Sequence, residues 1–302
     1  MEFLLLTNEP ELPTPRRLAA AARALGATVT LVRPRDPPPR ARLAGARLLA
    51  RPGTFSRPAV LRAWRTLVTA GALPLQTRRA LSVAGDQWLT LVAAARAGIA
   101  CPPTRLIRRP GELPAALAEL SGRSWFVKGR RGSQGTHVVR VADCPEALHV
   151  GHLFWGSGQS FLLQADRSDR GPIERHLVVA GRVIASARAI PAPGEYRSNA
   201  HRGGRFEPRP LAATSAGALA VAAVAAVGLP FAAVDAIGGE RPELLEVNAS
   251  PGLEALEAAT GRDLAGEVMA ALLGAPLSES RARPFAARRA DRARTNSAAG
   301  ST

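Results

Sequence analysis

An open α/β domain followed by α+β segments is the fold class the sequence predicts, and three observations predict it. Strand and helix patterns alternate through residues 1–80, alternating strands fold back as hairpins near residues 176–188 and 231–247, and an alanine-rich helix lies between those hairpins. No internal repeat is present.

Phe3 to Thr7 opens as an apolar strand, followed by a helix from Arg16 to Leu25 and a second strand from Thr28 to Val32. An Arg/Pro loop comes next, then a helix from Pro58 to Ala70, so residues 1–80 read as a small α/β domain. A helix from Gly85 to Arg96 is ended by Gly98, and Thr104 to Ile107 is a short strand. Helix (Glu112 to Leu120), strand (Trp125 to Lys128), glycine loop, strand (His137 to Val141), helix (Glu146 to Leu153) and strand (Phe161 to Gln164) complete a second unit over residues 81–165.

In the third unit, residues 166–275, His176 to Val179 turns through Ala180-Gly181 into Val183 to Arg188. Pro210 to Val234 carries no charge over 25 residues, long enough to span a bilayer. Gly228-Leu229-Pro230 interrupts it, which predicts a buried helix from Leu211 to Val227 and then a strand. Phe231 to Ile237 and Leu244 to Val247 flank Gly238-Gly239 as a second hairpin, and a last helix runs from Asp263 to Leu273. Residues 276–302, rich in Arg, Ala, Ser and Gly, read as a disordered basic tail.

With 302 residues, 46 % hydrophobic and 4 % aromatic, the chain can fill a real core and fits neither collagen, coiled coil nor wholesale disorder. The net charge of +16 is uneven: residues 1–80 hold 14 Arg against 4 acids, and residues 277–302 hold 6 Arg against 2. Such basic ends suit an anionic partner, nucleic acid or the ribosome among them. Arginine spread over solvated faces is the plainer alternative. Cys101 and Cys144 have no CxxC spacing, and the opening MEFLLLTNEPE lacks a signal-peptide core, so a cytoplasmic chain with neither disulfide, zinc nor membrane span is expected.

Of the 40 basic residues Lys128 is the one lysine, and it ends a predicted strand just before Gly129-Arg130-Arg131-Gly132-Ser133-Gln134-Gly135. Glycines let backbone N–H groups approach an anion, and a strand-held ammonium can face phosphate. The Gly-Lys-Thr/Ser ending of a P-loop is missing, and an ordinary glycine hairpin with a surface lysine stays open as a reading. Asp235 and the pair Glu246 and Asn248 sit on neighbouring strands, where three hard oxygen donors can share a face and suit magnesium. A polar strand end would explain them too. Tyr196-Arg197-Ser198-Asn199-Ala200-His201-Arg202 ends in two glycines and offers guanidinium forks for carboxylate or phosphate. Arg175 and Arg188 fall at opposite ends of the first hairpin's two strands and read equally well as surface charges.

Read together, FVKGRRGSQGTHVV, YRSNAHRGGRF and LLEVNASPGLEALEAATGRDLAG resemble the RimK-type α-L-glutamate ligases of the ATP-grasp superfamily. The resemblance runs from about Ser82 to Met269 and is one of rhythm only over the first 80 residues. It implies an ATP-grasp fold behind an N-terminal pre-ATP-grasp domain, and a ligase that phosphorylates a carboxylate with ATP and lets an amine displace phosphate. By the same resemblance Lys128 contacts phosphate, Gly132, Ser133, Gln134 and Gly135 belong to a glycine flap, and Asp235, Glu246 and Asn248 hold two Mg2+ ions, for which Mn2+ can substitute. Arg188, Arg197, Asn199 and Arg202 fall where the family holds triphosphate, acyl phosphate or substrate carboxylate.

Two departures stand out. Asp86-Gln87 replaces the family's Asp-Lys, which removes one phosphate-facing charge. Gln164-Ala165-Asp166 replaces its Gln-Glu-Tyr adenine hinge, the next loop is about a residue shorter, and Glu174 is then the nearest candidate for the ribose carboxylate. The implied partners are ATP, an amino-acid amine donor, a carboxylate acceptor and further copies of the chain. A degenerate ATP-grasp protein that binds nucleotide or nucleic acid without ligase chemistry is the alternative, motivated by Gln87 and Ala165.

Overall fold

The computed structural model describes residues 1–274 apart from 37, 39–42, 52, 54–56, 121, 133–136, 197–202 and 212–213, together with the side chain at 57. Four parallel strands form the first sheet: β1 (Glu2–Thr7), β2 (Thr28–Val32), β3 (Arg47–Arg51) and β4 (Leu73–Pro74), in the order β2-β1-β3-β4. Helices α1 (Pro13–Ala24) and α2 (Arg57–Thr69) connect them. Central β1 is buried on both faces, which is why it reads as an unbroken apolar run. Strand β3 corrects the expected Arg/Pro loop. Its buried Leu48-Leu49-Ala50 is bracketed by arginines, and those charges hid a short core strand.

Helices α3 (Arg78–Ala84) and α4 (Gln87–Arg96) lead into the second sheet. The seven-residue α3, which opens on Arg78-Arg79, is not expected from the sequence. Asp86 caps α4, accepting from the N–H groups of Trp88 and Leu89 at 3.1 and 3.3 Å. The second sheet is antiparallel, with β5 (Thr104–Ile107), β6 (Trp125–Gly129), β7 (Val138–Val141) and β8 (Phe161–Ala165) in the order β5-β8-β6-β7. Helices α5 (Leu113–Glu119) and α6 (Cys144–Gly156) cover one face over Trp125, Val127, Phe161 and Leu163. Alternation along β6 therefore sends Phe126 and Lys128 to the uncovered face.

The third sheet is antiparallel too, in the order β11-β10-β9-β12-β13: β9 (Ile173–Val179), β10 (Arg182–Ile190), β11 (Arg205–Pro208), β12 (Phe231–Ile237) and β13 (Glu243–Asn248). The β9–β10 turn takes left-handed backbone at both Ala180 (φ 47°) and Gly181 (φ 76°), the geometry of a two-residue hairpin. The alanine-rich helix α7 (Ser215–Val227) buries Ala220, Ala223 and Val224 against this sheet and ends at left-handed Gly228. It starts four residues later than expected, at a Thr214 cap that accepts from Gly217 N–H at 3.0 Å. Among the described residues no helix is long and apolar enough to cross a membrane.

Helices α8 (Glu254–Thr260) and α9 (Leu264–Gly274) pack on the opposite face, where Phe3, Leu5 and Leu18 of the first unit share one core with Leu177, Phe231 and Val268. Truncating Leu5 to alanine in that shared core is expected to cost about 2–5 kcal/mol, seen as an earlier denaturant midpoint. The hairpin register shows what the placing of two arginines at opposite strand ends means in space. Arg188 pairs with Glu174 and Ala187 with Arg175, so Arg175 and Arg188 lie at one end of the hairpin. Residues 276–302, expected to be a tail, lie outside the described residues.

Candidate functional site

A cavity of about 640 Å³ opens between the second and third sheets. Its walls include Lys128, Gly132, Gln164 and Ala165 on one side and Asp235, Glu246 and Arg188 on the other, with Gln87 contributed by α4. The half-buried Lys128 ammonium donates to Gln164 Oε1, and Gln164 Nε2 donates in turn to Thr104 Oγ1 at 2.9 Å. Burial pushes the Lys128 pKa down to about 8, against the opposing pull of Glu246, Asp166 and Asp235. Fixed in a strand and relayed to β5, this ammonium is aimed before any ligand arrives.

Asp235 and Glu246 face each other directly across β12 and β13, at a ladder shift between Asp235 and Ala236. Arg175, opposite Asp235 on β9, donates Nε and Nη2 to the two carboxylate oxygens at 2.7 and 2.6 Å, and its guanidinium lies 5.1 Å from the Phe206 ring centroid. Glu246 makes no hydrogen bond to a described side chain. Burial and the charge of Asp235 raise its pKa, while Arg175 and Lys128 pull the other way. Two facing carboxylates with a bonded cation on only one of them fit a divalent ion. Among the described residues no group of three or more His, Cys, Asp or Glu is placed to hold a metal ion; magnesium takes one or two carboxylates and leaves its other positions to water and phosphate. Asn248 stands two residues beyond Glu246 and is not among the residues lining the cavity, its Oδ1 accepting from Ser250 N–H at 2.9 Å.

Other expected site residues are placed differently. Asp166 turns its carboxylate to Arg140 Nε (2.7 Å) and Ser124 Oγ (2.8 Å) and does not line the cavity. Glu174 is also absent from the wall, its carboxylate facing His176 and Arg209 at 3.6 and 3.7 Å. The loop after β8 instead brings Asp169 to the cavity. A turn-rich Arg167-Ser168-Asp169-Arg170-Gly171 run was the available signal. Arg188 reaches the wall from the end of β10, but its pairing with Glu174 puts it on the sheet face away from Asp235. Ser133, Gln134, Gly135, Arg197, Asn199 and Arg202 lie outside the described residues.

Local sequence explains several of these positions. A Cβ at Gly129 would come 2.9 Å from His137 Cβ, and one at Gly132 would come 3.0 Å from His137 Nδ1, so both glycines give room to the returning strand. Asp86 pairs with Arg130, and Gln87 N–H donates to the Arg130 carbonyl at 2.9 Å, which ties the start of α4 to the glycine loop. Tyr196, the chain's single tyrosine, donates its hydroxyl to the Val138 carbonyl at 2.9 Å and packs 5.7 Å from the Phe126 ring, bridging the two walls. Its scarcity was as visible in the sequence as that of Lys128.

Comparison with known proteins agrees with this geometry. A family model described as the RimK-like ATP-grasp domain matches residues 84–272. A protein of Thioalkalivibrio sulfidiphilus named probable alpha-L-glutamate ligase is 33 % identical, covering 89 % of this chain and 94 % of its own. Among solved structures, D-cycloserine synthetase DcsG superposes with a TM-score of 0.70 at 19 % identity, covering 90 % of this chain and 98 % of its own. The ATP-grasp ligase PsnB complexed with minimal precursor, Mg and ADP does so with a TM-score of 0.66 at 18 % identity, covering 90 % and 96 %. The chain belongs to the RimK-like ATP-grasp family.

Proposed function

We propose that the protein is an ATP- and Mg2+-dependent carboxylate–amine ligase. The observation that carries this reading is the convergence of the Lys128 ammonium and the facing Asp235 and Glu246 carboxylates on one cavity. Bound there, magnesium would neutralise and align the β- and γ-phosphates. Lys128 holds a phosphate oxygen, Asp235, Glu246 and Asn248 hold the metal, and Gln164 and Ala165 border the adenine. The ribose role is assigned to Asp169, which lines the cavity where Glu174 does not.

A substrate carboxylate oxygen attacks the γ-phosphorus as the bond to the β-phosphate oxygen breaks, giving an acyl phosphate and ADP. A free amine then attacks the acyl carbon, loses a proton, and displaces inorganic phosphate to leave an amide. Arg197, Asn199 and Arg202 are assigned to the acyl phosphate or substrate carboxylate, with Arg188 at the cavity rim. Glutamate is the first amine to test, given the names of the relatives.

Purified protein with ATP, Mg2+ and a pool of amino acids and peptides is expected to release ADP and phosphate only when an amine is present, and Lys128→Ala to release neither. AMP and pyrophosphate as products would refute the mechanism. ATP binding without turnover across the pool would favour the nucleotide-binding alternative, which Gln87 in the cavity wall supports. Gln87→Lys tests that point. Restoring a charge toward phosphate is expected to lower the ATP KM by about tenfold, the worth of one charge-assisted hydrogen bond.

A further inference from the structure

Strand β3 sends an arginine from each of its ends toward the third sheet's helices and loops. Arg47 donates Nη1 to the Leu272 and Leu273 carbonyls at 2.9 and 2.7 Å, at the C-terminal end of α9. Arg51, 6 % exposed, donates Nη2 to the Pro251 carbonyl at 2.8 Å. Burial pushes its pKa down to about 10 and Glu254 pulls it back up, so the guanidinium stays charged at neutral pH. Pro251 belongs to residues 249–253, which link β13 to α8 without helix or strand hydrogen bonding of their own. In that link Ser250 N–H donates to Asn248 Oδ1 at 2.9 Å, and Gly53 N–H, just past β3, approaches Ser250 Oγ at 3.5 Å.

We propose that Arg51 is a positioning residue for the metal centre: by clamping the Pro251 carbonyl from the first sheet, it fixes the link whose Ser250 N–H aims the Asn248 carboxamide. The proposal rests on the assignment of Asn248 to the metal. One lone pair of Oδ1 is engaged by Ser250, which leaves the other at a set angle for a cation. The first sheet thereby takes part in metal binding without supplying a ligand. Outer partners of this kind tune affinity by orienting the ligand.

The test is Mn2+ binding to the full chain in the presence of ADP, followed by the electron paramagnetic resonance of free Mn2+, so no turnover is needed. Arg51→Met keeps the bulk and removes the donors. It is expected to raise the Mn2+ Kd about tenfold, the usual scale for an outer-shell partner, with Arg51→Lys falling between it and wild type. Arg47→Met loosens the same docking at the other end of β3 and is expected to lower the melting temperature while leaving the Mn2+ Kd within about twofold. An unchanged Kd in Arg51→Met, or an equal rise in Arg47→Met, overturns the proposal. If Arg51→Met does not fold, Arg51→Lys decides, and wild-type affinity there overturns it. Asn248→Ala separates the two levels: a weakened Kd keeps the assignment of Asn248 standing whatever Arg51 does, and an unchanged Kd removes that assignment and this proposal together.

Discussion

Glu246→Gln is expected to lower turnover at saturating ATP by at least about 100-fold, or roughly 2.7 kcal/mol of transition-state stabilisation. Glutamine keeps the shape of the side chain and one oxygen but removes the charge that a cation between two phosphates needs. The same exchange is expected to leave the melting temperature at or above that of wild type. Glu246 is charged against burial and the facing Asp235 carboxylate, so neutralising it relieves a repulsion within the fold. A variant that is no less stable and nearly inactive separates a site carboxylate from a structural one. Because burial and Asp235 raise the Glu246 pKa, divalent-ion binding must displace a proton from a growing share of molecules as pH falls. Metal affinity is therefore expected to rise with pH, and the slope to shrink in Glu246→Gln. Wild-type turnover in this variant would end the metal assignment.

Several strands were legible as short runs rich in apolar and β-branched residues. Thr28–Val32, Thr104–Ile107 and Phe231–Ile237 are found with the bounds the sequence predicts. Elements masked by charge were not legible: α3 opens on Arg78-Arg79, and β3 is framed by Arg47 and Arg51. The Glu246 and Asp235 pairing could be read because the two-residue period fixes which side chains share a face. What the period does not fix is which cations face them. Arg175 reads equally well as a surface charge in the sequence, yet it grips Asp235 with both nitrogens of its fork, an arrangement that depends on β12 lying beside β9 across 60 residues of chain. Glu174, expected from the resemblance near the ribose, is another case where register decides which face a side chain takes. Its distance along the sequence was right, but register turned it to the face of His176.

Lys128→Ala is expected to reduce turnover by at least about 100-fold as well, and the pH dependence identifies why. With a pKa of about 8 in the free protein, the ammonium is the main form at neutral pH and is lost as pH rises through that value. ATP affinity should then fall above pH 8, and the limb should flatten in Lys128→Met. Bound phosphates favour the charged form, so the limb is expected at higher pH in kcat than in kcat/KM. Stability moves in the opposite sense. A lysine in the unfolded chain titrates near about 10.4, so between about 8 and that value the unfolded state holds more protons and stability rises with pH as the folded-state penalty is relieved. Lys128→Met is accordingly expected to melt later than wild type at pH 7 and to lose that advantage as pH approaches 10. An enzyme that keeps a partly desolvated ammonium beside Gln164, at a cost to its own fold, gains a donor already stripped of water when phosphate arrives. A profile without an alkaline limb, together with a Lys128→Met variant that melts earlier than wild type, would return this lysine to an ordinary structural role.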